Sequence, residues 1–434
     1  MVTRLRCAVL CLVSLLAVAG CNTPDAEAPP PEDRLEPQAP GADARSDKAR
    51  ITAAAPAGDL QKAVAGQNDL AFDLYRQLTT EGENLFLSPV SISTALSMTY
   101  AGAAGTTAQA FEGVLGSGLP AANHHRAMND LEAQLTSRGQ GAAGTDGKPF
   151  RLNMTNQVFA QQGFPLEVPY LDTLALEYGA GVRLMDFAGA PEPSRVEING
   201  WVAQKTEDRI KELLAKETIT SDTRLVLVNA IYFNASWARV FEESLTANGD
   251  FHAPSGTKQV PLMRHPLLQT RAAQVNGTEI FELPYDGGEL SMVVVVPPEG
   301  DLETLEASLG AAAFDGYVAA LTGETLDLTF PKFEARTQAS LSTPLRTLGL
   351  EPAFGAEADF SAMTPRSVAI SDVVHECFVK VDEKGTEAAA ATAVIVGETS
   401  APLARPLIVD RPFVFAVRDN ATGALVFVGR VVNP

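Results

Sequence analysis

Cysteine is scarce in this chain, with four among 434 residues. Cys7 and Cys11 fall in an N-terminal apolar stretch that reads as a removable leader, which leaves Cys21 and Cys377. Two widely separated thiols give no disulfide framework, so the fold has to be held by its core. Cations are few as well: 33 Lys and Arg stand against 53 Asp and Glu, a formal net charge of -20, with no long basic run. That excludes nucleic acid as a partner class, because phosphate binding needs clustered positive charge. There are only five histidines. The chain has no His-Glu-x-x-His helix, no Gly-x-Ser-x-Gly elbow, no Cys-x-x-Cys pair and no phosphate-cradling Walker loop, so it carries no signature of a hydrolase, metalloenzyme or nucleotide enzyme. No catalytic residue, metal or cofactor is expected. Nor is there an internal period, which argues against solenoids and propellers.

What is present is a globular composition, 46% hydrophobic and 20% charged, enough for a large core. Residues 1–20 open with Arg4 and Arg6 and continue as an apolar run too short to span a bilayer, the pattern of an export signal. The sequence Val18-Ala19-Gly20-Cys21 resembles a bacterial lipobox, which implies a lipid on Cys21; the plain alternative is an ordinary signal with an incidental cysteine. An exported protein anchored at the outer membrane or cell surface, facing the periplasm or the exterior, is the corresponding expectation. Residues 21–58 are rich in Ala, Pro, Glu and Asp without apolar period and read as a disordered tether.

Folded structure is expected from residue 59 to 434. Leu70, Leu74 and Leu78 form a helical stripe. Ser88-Pro89 reads as an N-cap followed by proline at the first helical position. Thr106 with Gln109, and Ser194 with Glu197, match capping boxes, and Ile210, Leu213 and Leu214 keep helical spacing. His124 and His125 fall in a polar, exposed-looking segment. Strands are expected at residues 224–233, 290–296, 325–333 and 368–381, followed by a hairpin of residues 413–417 and 425–432. Met292 to Val296 is apolar throughout, as in a strand covered on both faces. Helices come mainly first and strands later, an α+β class with mixed or antiparallel sheets.

Two constellations remain. Ser88 and His375 suggest a dyad, yet Ser88 already has local work as a cap. The segment after Asp382 runs Glu383-Lys384-Gly385-Thr386-Glu387-Ala388-Ala389-Ala390-Ala391-Thr392. An alanine run is ordinarily helix. Read with period two, however, Thr386, Ala388, Ala390, Thr392 and Val394 make one uncharged face while Glu387 points away. Such a segment suits both solvent and a buried sheet.

This segment resembles the hinge of a serpin reactive-centre loop. Asn84-Leu85-Phe86-Leu87-Ser88-Pro89, Leu227-Val228-Asn229-Ala230-Ile231-Tyr232-Phe233 with Trp237, and Arg411-Pro412-Phe413-Val414-Phe415 are similar to further serpin motifs in the same order. The resemblance runs from about residue 60 to the end. It implies three β-sheets, eight or nine helices and an exposed bait loop at about residues 383–405. It also implies a function, monomeric inhibition of serine or cysteine endopeptidases by acyl-enzyme trapping and loop insertion, with a non-inhibitory binding or structural serpin as the alternative. Ser88, Ser91, Asn156, Asn229 and His375 would form a polar shutter beneath the central sheet; as plain chemistry they are a buried hydrogen-bond network. Cys377 and Trp237 read as core. The usual interval from Gly385 places the cut at Thr399-Ser400, although the loop is slightly long for the family. Small residues there suit elastase-like or subtilisin-like pockets.

Overall fold

A computed structural model describes residues 41–386 and 404–434, together with the short strand Arg34–Leu35. Its central feature is a seven-stranded sheet in the order Phe333–Ser340, Asp372–Asp382, Gly385–Thr386, Leu225–Ser236, Arg151–Gln161, Val182–Met185, Asp43–Ala44. Leu225–Ser236 is apolar almost throughout because both of its faces are covered. Val226, Val228 and Ala230 pack with Ile198 and Val202 of the helix Pro191–Lys205. Leu225 and Leu227 face the other way, into the main core with Ile92 and Leu96 of the helix Pro89–Tyr100. At ~1.5–3 kcal/mol per fully buried aliphatic side chain, this two-sided burial is a leading source of stability.

A nine-stranded ladder supplies the other sheets. The twenty-residue strand Gly256–Val275 joins them: it pairs with Ala247–Ala253 at one end, Thr322–Pro331 in its middle and Thr278–Pro284 at the other end. Leu290–Val296 lies inside this ladder and every residue of it is buried, as the apolar run Met292 to Val296 within it predicts. The described residues contain nine α-helical segments. None is long and apolar enough to cross a membrane.

Several local expectations are corrected. The helix Gly105–Leu115 starts at an Ala104 cap with no side-chain bond, and Ser194 lies inside a helix that begins at Pro191. That helix stops at Lys205 because Glu207 and Asp208 take left-handed backbone angles, φ 50° and 61°; Ile210, Leu213 and Leu214 are buried without being helical. His124 and His125 are also buried. They share the inward stripe of the helix Ala121–Thr136 with Met128, Leu131 and Leu135. Hydroxyls satisfy both rings: Ser97 (2.8 Å) and Ser117 (3.0 Å) on His124, Tyr178 (2.7 Å) on His125.

Within the stretch read as tether, a few residues from Gly41 onward are held against the fold, although of residues 41–58 only Ala44 is buried. Asp43–Ala44 pairs with the edge strand Val182–Met185, Lys48 meets Asp172 at 2.6 Å, and Arg50 bonds Asn129 and Glu132. Composition reads these polar side chains as solvated; Lys48 and Arg50 do stay partly in water, and distant acceptors also hold them.

Candidate functional site

The strands Asp372–Asp382 and Leu225–Ser236 run parallel and are paired directly from Asp372 opposite Val226 to Cys377 opposite Ile231. Past that point they part. The chain leaving Asp382 turns at Glu383 and Lys384 and comes back between them, with Thr386 opposite both Val381 and Ala235, and Gly385 opposite both Asp382 and Ser236. Only glycine fits the turn: φ is 154°, and a Cβ would lie 2.1 Å from the Ala235 carbonyl oxygen.

Thr386 is therefore inside the sheet, 1% exposed, and Glu383 is 6% exposed. This corrects the expectation of an exposed loop beginning at residue 383. The reason is a set of contacts no local pattern reveals. The Thr386 hydroxyl lies 2.8 Å from the Tyr285 hydroxyl, and Tyr285 stacks on Trp237 at 4.7 Å between ring centres. Trp237 donates its indole N–H to the Asp382 carbonyl (2.9 Å) and its amide to the Lys384 carbonyl (2.8 Å). The Glu383 carboxylate accepts from Lys332 and Thr246, both at 2.7 Å. Burial alone would raise its pKa, but these two bonds outweigh burial and hold the carboxylate below its ordinary range. Lys384 reaches Glu243 at 3.2 Å.

At the closed end, Asn156, Asn229 and His375 stand directly opposite one another on three adjacent strands. Ser88 and Ser91, at the start of the helix Pro89–Tyr100, rise to meet this row. The Asn229 amide donates to Ser91 Oγ and Asn156 Oδ1, both at 2.5 Å, and Ser91 donates to Asn156 Oδ1 at 3.0 Å. His375 Nε2 faces two donors, the Ser88 amide N–H (3.2 Å) and the Cys377 thiol (3.0 Å). Its proton consequently sits on Nδ1 and is donated to Asn229 Oδ1. Complete burial lowers the His375 pKa to about 3, so the ring is neutral and the row carries no charge. Ser88 occupies the N-cap position, yet its hydroxyl is spent on the Val426 carbonyl at 2.9 Å. Neither Ser88 nor Cys377 is a nucleophile here: one is bonded away from His375, and burial pushes the Cys377 thiol well above its usual pKa.

All five sequence-selected polar residues thus meet in one connected cluster, and Glu383, Lys384, Gly385 and Thr386 meet at the parted end. Glu387, Ala388, Ala389, Ala390, Ala391, Thr399, Ser400 and Cys21 lie outside the described residues. Arg405, the first basic residue past the expected cut, opens the strand Arg405–Ile408 and is clamped by Glu324 (2.7 Å) and Glu279 (2.9 Å). Sequence reasoning missed Tyr285, Lys332 and Thr246. Each lies at least 50 residues from the group it holds, and none stands in a distinctive motif. No cluster of potential metal ligands occurs among the described residues.

The site is thus a sheet seam joined at one end over a neutral polar row and parted at the other, where a glycine-pivoted chain is seated. The family model described as Serpin (serine protease inhibitor) matches residues 65–434. An uncharacterized serpin-like protein of Thermococcus kodakarensis is 36% identical over 382 residues, 87% of each chain. Human Serpin B4 is 36% identical over 388 residues, 84% of this chain and 97% of its own. The native-state crystal structure of the thermophilic serpin tengpin superposes with a TM-score of 0.81 at 24% identity, covering 91% of this chain and 100% of that one. The chain belongs to the serpin family, whose members typically inhibit proteases rather than catalyse a reaction.

Proposed function

We propose that this protein is a suicide-substrate inhibitor of serine endopeptidases, and of cysteine endopeptidases that form the equivalent thioester, with elastase-like or subtilisin-like enzymes as targets. The observation that carries the reading is the register at the parted end. Six residues on from Thr386 is Thr392; six residues back from Val381 and from Ala235 are His375 and Asn229. A strand that continues the register already begun would therefore slot Thr392 between the two members of the polar row, replacing their direct bond with a hydroxyl that can both donate and accept. Ala388 and Ala390 would enter on the same face as Thr386, bringing no charge into the core.

In this reading the protease hydroxyl attacks the Thr399 carbonyl, the Thr399-Ser400 bond breaks, and the new amine leaves on Ser400 while Thr399 stays as an acyl ester. The freed strand then zips between Asp372–Asp382 and Leu225–Ser236 and carries the acylated enzyme with it before water completes hydrolysis. The protein acts as a monomer. A lipid on Cys21 would hold it at the outer membrane or cell surface, which globomycin treatment and mass spectrometry of the mature N-terminus test directly.

Function is tested by titrating the protein against a panel of purified endopeptidases and resolving the products on denaturing gels, with intact-mass measurement of the released fragment. A covalent complex and a fragment beginning at Ser400 are expected. Turnover of the loop without any complex would leave a non-inhibitory serpin instead.

A further inference from the structure

Arg411-Pro412, the start of the C-terminal motif, takes no part in the loop chemistry above. These two residues form one wall of a solvent-open cleft of about 620 Å³, and none of the lining residues belongs to the seven-stranded sheet. The other walls come from the chain after the helix Asp59–Leu78, the turn that opens Gly256–Val275, the turn after Leu290–Val296 and the end of Leu425–Val431. Each wall is tied to a neighbour. Arg411 donates from Nε to the Pro297 carbonyl at 2.9 Å, the His252 amide donates to the Asp410 carbonyl at 2.6 Å, and Arg430 donates from Nε to the Glu83 carbonyl at 3.0 Å. Four of the lining residues are prolines: Pro254, Pro297, Pro298 and Pro412. Proline rings lose no rotamer freedom when covered. The cleft is therefore preformed, and an apolar body laid against it orders little of the protein.

Charge in the lining is one-sided. Arg430 is 3% exposed and spends its guanidinium on Glu306, with both carboxylate oxygens at 3.0 Å, while the Tyr75 hydroxyl donates to the same carboxylate at 2.5 Å. Arg411 meets Asp410 at 3.0 Å. His252 has its Nδ1 on the Thr257 hydroxyl at 3.2 Å. Glu81, Glu299 and Glu303 also line the cleft; they are exposed and have no cationic partner among the described residues. The lining arginines are answered and three carboxylates are not, so the local field is negative and adds to the formal net charge of -20. Anions are disfavoured there. An inorganic cation would gain nothing from the proline walls. The volume lies within the ~300–1,000 Å³ of small-molecule sites, and rigid apolar walls under a carboxylate rim match a ligand that is apolar along its body and positive at one end.

We propose that this cleft is a binding site for a small amphipathic cation, an aromatic or aliphatic body carrying an ammonium group, with the body against the prolines and the ammonium at the Glu81, Glu299 and Glu303 rim. Isothermal titration of the full chain tests it, with phenylbutylammonium as the probe and phenylbutyrate, of similar shape and opposite charge, as the comparison. The cation should bind at least about tenfold more tightly than the anion, because the rim attracts one and repels the other. Glu81→Gln and Glu303→Gln should each weaken the cation about threefold, the size of one solvent-screened pair, and added salt should weaken it in wild type. Leu302→Trp, at a half-buried position of the lining, fills the cleft and should weaken the cation at least about tenfold, since the apolar contact is lost; a thermal melt checks that this variant is folded. Equal affinity for phenylbutyrate, wild-type affinity in both glutamine variants, or no binding of phenylbutylammonium at millimolar concentration overturns the proposal. The inhibitor reading is untouched by any of these results, and a protein that traps no endopeptidase should still bind the probe.

Discussion

The two ends of the seam between Asp372–Asp382 and Leu225–Ser236 are held by different chemistry. At the closed end six consecutive residue pairs are joined, and a row of neutral side chains is locked crosswise beneath them. At the parted end two backbone residues are seated, fastened by one hydroxyl pair, one carboxylate and the carbonyls of a tight turn. Ladders fail cooperatively, and single polar contacts fail one at a time. The parted end is thus suited to letting a strand start, and the closed end to making it meet resistance until enough residues have entered.

The largest expected effect comes from Thr386→Arg. An unpaired guanidinium against Tyr285 and Trp237 would cost several kcal/mol, more than the one or two kcal/mol that seating two residues can return. The hinge should be expelled, and the variant should be cut by the target without leaving a complex on a denaturing gel. Retained full inhibition would show that the seated hinge is not where insertion begins.

Asn229→Ala acts on the other end. It strands the His375 Nδ1 proton and breaks the row, at a cost of about 2–3 kcal/mol. Urea unfolding should show the loss, and spontaneous insertion of the uncut loop should quicken. Unchanged stability would mean that the row is not a lock.

Acid separates the two ends as well. Burial lowers His375 and His125 to about 3 and His124 to about 4. The unfolded chain therefore binds protons that the folded chain refuses once the pH drops below the ordinary histidine range. Their contribution is fully present above about pH 6.5 and is lost as the pH falls toward 3 to 4, by ~1.4 kcal/mol per unit for each ring. Glu383, held low, keeps its proton off until more acid conditions. Urea midpoints between pH 7 and 5 should drop, and a flat profile would contradict neutral burial of the three rings. Glu383→Gln, the smallest effect, should cost about 1 kcal/mol, since Lys332 is one-third exposed and screened by solvent; the loss should shrink in high salt.

Much of the fold is legible in the sequence because two-sided burial writes itself as unbroken apolar runs, as in Met292 to Val296. The polar row is legible residue by residue as a buried network, and its place beneath a moving sheet only through resemblance. What the sequence hides depends on remote partners. Polar His124 and His125 are inward because Ser97, Ser117 and Tyr178 satisfy them, and Arg50 is ordered because Asn129 and Glu132 receive it. Thr386 is seated because Tyr285, 101 residues away, is waiting. Small polar residues look alike in a sequence whether water or a distant side chain holds them.

Once the loop is cut, the strand begun at Gly385–Thr386 should complete itself between the two parted strands. The direct measurement is the thermal melt of protein cleaved at the bait bond, compared with the uncut protein under the same conditions. The cleaved form should melt far above the native one, because a strand continued in the same register would bring Thr392 into the polar row and close the sheet. Identical melting of cut and uncut protein would contradict it.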